Sequence, residues 1–480
     1  MTGFHKDALM NQIALNREDP YPLVEQIVEG IRCQIEERQL RPGSKLPSIR
    51  AFASTHNISR FTVVEAYDRL VAMGHLKSRR GAGFFTISSE AKTARSVRKF
   101  DHKRNEEMVW LIRRLLNARD GVILAGGPWL PDAWLDESNI RRFVRMMAGK
   151  PGTHLIDYGN SFGYPPLREL IADKILSEIG VTARASQILL TTGASQALDL
   201  VSRCLLNAGD KVLVDDPGYY NLFGNLRLQG LQLIGVPRGL DGPDVDVLEA
   251  LAEEHRPKLY FTQSVLQNPT GTSMSPHVAF RVLQAAGRHD FRVVEDDIFS
   301  DLETEAAPRL AALDQLERVI YIRSYSKTLS GSIRLGFIAC DQVIADDLAD
   351  VKMVTSISSS RFTEKLLYHL LMGGHYRKYI VRLRERIGEA RGNVLNAFGR
   401  IGLETFHDTE TGMFLWARFP HIENSLPLAE AALRDGLMLA PGTVFRPHLE
   451  PSPWMRFNVA VCDHPDVHGR LEKIAASGGG

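Results

Sequence analysis

Cysteine is scarce: four residues in 480 (Cys33, Cys204, Cys340 and Cys462), far apart and without a CxxC pair. That excludes a disulfide framework or a zinc site and fits reduced thiols in the cytoplasm. No apolar run approaches the roughly 18 residues of a membrane-spanning helix. The N-terminus lacks the apolar core of a signal peptide, so the expected location is cytoplasmic. No Gly-rich P-loop and no second carboxylate cluster support metal–nucleotide chemistry, and no internal repeat is evident. What remains is ordinary for a globular protein of two or three domains, 44% hydrophobic and 24% charged.

Net charge is also scarce, at +1, but it is unevenly placed. Residues 1–100 hold 16 Lys and Arg against 10 Asp and Glu (+6), and the remainder holds 42 against 47 (−5). A basic head on an acidic body points to a polyanion partner for the head alone. Leu23, Ile27, Ile31 and Ile35 recur every four residues, one stripe of an amphipathic helix. Arg41-Pro42-Gly43 breaks it, and Pro47-Ser48 opens a short helix. After a turn at 56–58, Ser59 is the expected N-cap of a third helix with Val63, Ala66, Tyr67 and Leu70 on its apolar side. Gly74 ends that helix, and residues 76–87 read as two strands around Arg79-Arg80-Gly81-Ala82-Gly83. Three helices and a hairpin make a winged helix-turn-helix. Its third helix would present Ser59, Arg60 and Thr62 to base edges, Arg60 suiting guanine, and its wing arginines would approach the backbone. A protein-interaction module with solvated arginines is the alternative.

Residues 88–105 are polar, basic and nearly free of large apolar side chains, a linker pattern. From about 106 onward short β-rich runs alternate with helical stretches. Strands are expected at 187–192, 211–215, 231–236, 259–262, 292–295, 318–322 and 334–339, with helices such as 194–206 and 276–287. That rhythm predicts an α/β domain with a largely parallel sheet, whose ligands sit at the carboxyl ends of the strands.

The motifs fall at those ends. Thr191-Thr192-Gly193-Ala194-Ser195 joins a strand to a helix whose free N–H groups suit a phosphate, although Ser195 or Thr192 can equally be a plain helix cap. Tyr219 in Asp215-Asp216-Pro217-Gly218-Tyr219 can stack on a planar ring or pack in a loop. Asn268 in Gln267-Asn268-Pro269-Thr270-Gly271 can donate to a phenolic oxygen or form a turn. Glu295-Asp296-Asp297 ends a strand, where a carboxylate can pair with a pyridinium N–H or stand as a solvated acidic end. Ser324-Tyr325-Ser326-Lys327, with Arg334 seven residues on, sets an amine able to form a Schiff base beside hydroxyls and a cation able to hold a phosphate.

Two resemblances organise these motifs. Residues 41–50 (Arg-Pro-Gly-Ser-Lys-Leu-Pro-Ser-Ile-Arg), Ser59-Arg60-Phe61-Thr62-Val63, Ala66-Tyr67, Leu70 and Gly81-Ala82-Gly83-Phe84 resemble a GntR-type DNA-binding domain. The resemblance implies DNA contacts from Arg50, Ser59, Arg60 and Thr62, with Arg80 and Gly81 in the wing. From about Gly126 onward the ordered motifs resemble the fold-type I aminotransferases that use pyridoxal 5′-phosphate (PLP). They include Tyr158, Gly163-Tyr164, Gly412-Met413-Phe414, Pro441-Gly442 and Arg456-Phe457-Asn458. That likeness implies Lys327 as the catalytic, PLP-bound lysine, Asp296 at the ring nitrogen, Asn268 at the ring oxygen and Tyr219 on the ring. It implies Ala194, Ser195, Ser324 and Arg334 at the phosphate, Tyr158 at the phosphate of a neighbouring subunit, and Arg456 on a ligand carboxylate. Phe299 stands where the family often has a tyrosine, and Gly331 where a proline is common.

A GntR-type head on an aminotransferase-like body is the arrangement of the MocR-like transcription regulators. The expected organisation is a winged helix-turn-helix over 18–88, a basic linker over 89–108 and a PLP-binding effector domain over 109–480. The expected function is a homodimeric, head-to-tail regulator that binds a double-stranded DNA operator. It would sense an amine, an amino acid or PLP itself through aldimine chemistry at Lys327, with no or residual aminotransferase activity. A genuine aminotransferase with an accessory DNA-binding head is the alternative, and a DNA-binding protein whose body has lost its cofactor is a third.

Overall fold

A computed structural model describes residues 15–16, 21–36, 40, 43–79, 82–86, 121–149, 156–408 and 411–477. The chain divides into two compact units, Met1–Phe100 and Asp101–Gly480. The expected linker at 89–108, and Arg80 and Gly81 of the wing, lie outside the described residues.

The first unit is three helices and a hairpin. Helix Leu23–Glu36 places Ile27 and Ile31 against Phe52 of Ile49–Thr55 and against Val63, Ala66, Tyr67 and Leu70 of Arg60–Ala72. Both shorter helices are capped: Ser59 Oγ accepts from the Phe61 N–H, the cap the sequence anticipates, and Ser48 Oγ, where a helix was expected to open, accepts from the Ala51 N–H. Strands β1 (Leu76–Arg79) and β2 (Gly83–Thr86) pair antiparallel. The sequence reading missed one addition. Residues 43–46 run alongside β2, with the Leu46 N–H donating to the Phe84 carbonyl and a bridge between Lys45 and Phe85, so the hairpin gains a third backbone segment.

The second unit is built on an eight-stranded sheet. Its strands are β3 (Ile188–Thr191), β4 (Lys211–Asp216), β5 (Gln232–Gly239), β6 (Gly242–Pro243), β7 (Leu259–Thr262), β8 (Arg292–Asp296), β9 (Val319–Ser324) and β10 (Gly336–Ala339). Their order is β3-β10-β9-β8-β7-β4-β5-β6, parallel from β9 through β5, with β10 and β6 antiparallel to their neighbours. Both faces are covered, so the strands read as near-continuous apolar runs. Val293, Val319 and Tyr321 enter the core on one side, Val294, Ile320 and Ile322 that on the other. A smaller antiparallel sheet, β11 (Glu404–Thr405), β12 (Phe414–Arg418), β13 (Ala440–Pro441) and β14 (Trp454–Asn458), packs with helix His375–Ile401 around a separate core.

The expected strands are present with shifted ends. The strand expected at 231–236 runs on to Gly239, and the one expected at 334–339 starts only at Gly336. Arg334 adopts a left-handed conformation (φ +49°) and lies outside the ladder, its guanidinium turned to the β3 loop.

Candidate cofactor and DNA-binding sites

The described motifs of the second unit converge at the carboxyl ends of the parallel strands. After β3, Gly193 starts helix Ala194–Leu205 with φ +89°, and no side chain caps it. Thr192 and Ser195 are therefore not caps, which leaves the first-turn N–H groups facing outward as an anion site. Arg334 closes one side, its Nη2 donating to the Thr192 carbonyl at 3.2 Å and its Nη1 to Ser326 Oγ at 3.4 Å. A Cβ on Gly193 would sit 3.1 Å from Arg334 Nη2, so the close approach needs a glycine. Ser324 lies deeper. Its hydroxyl is within reach of the Leu335 carbonyl at 3.2 Å and Ser326 Oγ at 3.1 Å, and it is Ser326 that shares the Arg334 guanidinium. Ser326 is thus a rim residue that the site assignment missed, although it sits inside the quoted motif.

Alternation at the end of β8 separates Glu295 from Asp296, and Asp297 follows just past the strand. Glu295 faces the interior, accepting from Ser264 Oγ and from the N–H groups of Leu310 and Ala311, so it caps helix Leu310–Asp314. Asp297 pairs with Arg309 Nε at 3.2 Å and accepts from the Tyr321 hydroxyl at 2.7 Å. Asp296 alone turns to the site, and these buried acids are not a solvated strand end. Asp296 is 5% exposed; its Oδ2 accepts from Gln263 Nε2 at 3.2 Å, and its Oδ1 has no hydrogen-bond partner among the described residues. Burial and then the neighbouring Asp297 push its carboxyl up to about 7, against the pull of Lys327.

Lys327 follows β9, its Nζ donating to the Pro128 carbonyl at 3.1 Å. Burial, then repulsion from Arg456 and Arg334, pulls its amine down to about 7, with Asp296 opposing. Tyr219 lines the same pocket as Asp296, its hydroxyl within reach of Asn221 and Ser195, and burial raises its phenol well above the usual range. Arg456, on β14, is 0% exposed. Its Nη1 donates to Asn268 Oδ1 at 2.8 Å and its Nη2 to the Gly126 carbonyl at 2.7 Å, while Phe414, Phe445 and Tyr220 present ring faces at 4.5, 5.0 and 5.8 Å. No carboxylate pairs with it among the described residues. A buried cation in that state costs several kcal/mol until an anion arrives. Phe299 is buried edge-on to Phe414 at 5.3 Å. Tyr158, by contrast, is 79% exposed and stands apart from this cluster.

In the first unit Arg50, Ser59 and Arg60 are exposed and Thr62 is half-buried on the first turn of helix Arg60–Ala72. Phe61, 76% exposed beside them, was not singled out from the sequence. An exposed Phe there is visible only once the helix face is known.

A lysine with a depressed pKa, an orphan carboxylate oxygen, a buried tyrosine and an uncapped helix start flanked by Arg334 are thus brought together at the strand ends. Residues 141–474 match the family model "Aminotransferase class I and II", and residues 23–86 match "Bacterial regulatory proteins, gntR family". Among similar proteins, the probable rhizopine catabolism regulatory protein MocR of Rhizobium meliloti is 30% identical over 89% of this chain and 88% of its own. The 2-aminoadipate transaminase of Thermus thermophilus is 31% identical over 76% of this chain and 92% of its own. The crystal structure of LysN, an α-aminoadipate aminotransferase from Thermus thermophilus complexed with N-(5′-phosphopyridoxyl)-L-leucine, superposes with a TM-score of 0.70. It is 27% identical, covering 77% of this chain and 95% of that one.

The chain belongs to the class I and II aminotransferase family, carrying a gntR-family DNA-binding domain ahead of it, the composition of MocR-like transcription regulators. PLP is the cofactor this family and its structural neighbours imply. The residues fit it: the uncapped helix with Arg334 suits a phosphate, and the unpartnered Asp296 Oδ1 suits a ring N–H.

Proposed function

We propose that this protein is a transcription regulator that senses an amine or amino acid, or PLP itself, at the Lys327 cleft and reports it through its DNA-binding head. Bound PLP supplies an aldehyde that condenses with amines and a ring that withdraws electrons when its nitrogen is protonated. Lys327 provides the attacking amine, in large part neutral at pH 7. With PLP bound, Asp296 would accept the ring N–H, Asn268 would lie at the ring oxygen and Tyr219 would pack on the ring. Ala194, Ser195, Ser324 and Arg334 hold the phosphate, with Ser326 added to that group. Arg456 orients a ligand carboxylate. In the head, Arg60 and Thr62 read base edges and Arg50 holds the backbone.

One observation carries the ligand reading: a fully buried Arg456, unpaired with any described acid, in the cleft of a chain that also bears a DNA-binding head. Its bidentate guanidinium suits a carboxylate. A homodimer is part of the proposal. Exposed Ile156, Tyr158, Val354 and Ile357 lie on the two segments that meet where Gly159 touches Ser358 and Ser359, an apolar face suited to a second copy.

The test is a titration of duplexes selected by the protein from a random pool, with PLP present and a panel of amines, amino acids and 2-oxo acids added. A ligand that changes DNA affinity, bending or transcription in wild type and not in Lys327→Ala supports the reading. If neither PLP addition to the unloaded protein nor any member of the panel changes them, the reading is removed. A second reading, a working aminotransferase, is favoured by the complete cluster. Sustained amino-acid to 2-oxo-acid turnover, abolished in Lys327→Ala, would establish it, whereas Phe299, without a hydroxyl, favours slow or absent turnover.

A further inference from the structure

Gln263, one residue beyond β7, belongs to none of the motifs read from the sequence, yet it touches both ends of the proposed cofactor cradle. It is buried. Its Oε1 accepts the backbone N–H of Asn268 at 2.8 Å, and its Nε2 donates to Asp296 Oδ2 at 3.2 Å. The amide has one workable orientation, since a flip would set NH₂ against an N–H and oxygen against a carboxylate. Its own backbone N–H donates to Asp215 Oδ2 at 3.3 Å. Asp215 is anchored in turn by the Tyr260 hydroxyl at 2.6 Å and Arg238 at 3.1 Å. The side chain is thus held at both ends and the backbone beneath it is anchored as well.

We propose that Gln263 is a positioning residue. It keeps Asp296 an acceptor by donating to its inner oxygen, and it sets the spacing between Asp296 and Asn268 across the cofactor ring. This rests on Asp296 being the ring-nitrogen partner. The charged and titratable groups that face Asp296 are Asp297, just past its strand, Lys327 and Tyr219. Burial and Asp297 drive the carboxyl toward protonation, while Lys327, the Gln263 amide and the backbone N–H of Ile298 oppose them. Without that donor Asp296 retains the proton it would otherwise leave on the ring nitrogen.

The test uses the full-length protein freed of PLP and compares wild type, Gln263→Met, Gln263→Glu and Asp296→Asn, with the melting of each unloaded protein as a folding control. PLP affinity is measured by titration, and the visible band of the loaded protein is followed against pH. Gln263→Met should weaken PLP binding by about tenfold or more. It should also move the band's titration midpoint upward, as Asp296→Asn does, but less. A ring nitrogen that has lost its charge no longer repels a proton on the nitrogen joined to Lys327. Gln263→Glu keeps the acceptor for Asn268 but can donate to Asp296 only while protonated, so its loading should fall as pH rises where wild type is flat. If Asp296→Asn changes affinity and midpoint while Gln263→Met changes neither and Gln263→Glu loads as wild type does, the role of Gln263 is refuted. If Asp296→Asn changes neither, the assignment of Asp296 falls and that of Gln263 with it. Should Gln263→Met not fold, the pH dependence of Gln263→Glu decides.

Discussion

Capture of PLP by the unloaded protein should switch on as pH rises through about 7, the value to which the Lys327 amine is pulled from an ordinary 10.5. The sign follows from the charge type. A base with a depressed pKa is charged and unreactive below it and neutral above. At pH 7 about half of the Lys327 amine is neutral, against roughly three in ten thousand for an ordinary lysine, so the cleft holds on the order of a thousandfold more nucleophile. Lower basicity gives part of that gain back. Burial is the largest cause, followed by Arg456 and then Arg334, while Asp296 pulls the other way. Removing a cationic neighbour should therefore raise the midpoint, and removing the carboxylate should lower it. The assay is the rate at which the visible band appears after stopped-flow mixing with limiting PLP between pH 5.5 and 10. Each point is divided by the rate for methoxyamine, which is neutral across this range, to cancel the titration of PLP itself, and Lys327→Ala is the blank. Arg456→Met and Arg334→Met should shift the midpoint up and Asp296→Asn down. A wild-type rate that climbs without a plateau toward 10, or a midpoint indifferent to both arginines, would refute the electrostatic reading.

Three further outcomes are expected. Arg456→Met should weaken the response to amino acids by about 2–5 kcal/mol while leaving simple amines nearly unaffected, because only the former bring a carboxylate to the buried cation; equal losses for both ligand classes would contradict the clamp. Arg60→Ala should cost about 1–3 kcal/mol in binding to selected duplexes and relax preference at one base pair, read by fluorescence anisotropy at fixed salt. Phe299→Tyr places a phenol in a buried position packed on Phe414, and it should raise any residual transamination measured by 2-oxo-acid release, with unchanged or lower turnover counting against a role for the missing hydroxyl.

Much of the head was legible because its signals are local. The Ile27 and Ile31 stripe, the helix opening at Ser48, the Ser59 cap and the Gly74 stop each act within one or two helical turns. The third segment at Lys45 was missed because it pairs with Phe85, forty residues away. In the body, the glycine and hydroxyl loops announced the anion cradle, and Lys327 stood out by its neighbours. Which loop serine shares Arg334 was not legible, since Ser324 and Ser326 differ only in how the chain turns after β9.

By itself the amino-acid sequence determined the two-part organisation, the types of element and the chemical groups available, because these depend on periodicity, caps and composition over short stretches. Tertiary structure alone decided which of Glu295, Asp296 and Asp297 keeps an unused oxygen toward the cleft, since strand alternation separates the first two only once each face has its neighbours. It alone brought Arg456 onto Asn268, 188 residues earlier, and Gln263 onto Asp296, 33 residues later. The Lys327 shift has the same origin. Burial, the remote Arg456 and then Arg334 set it, and desolvation and Coulomb repulsion depend on distance in space, which chain spacing does not encode.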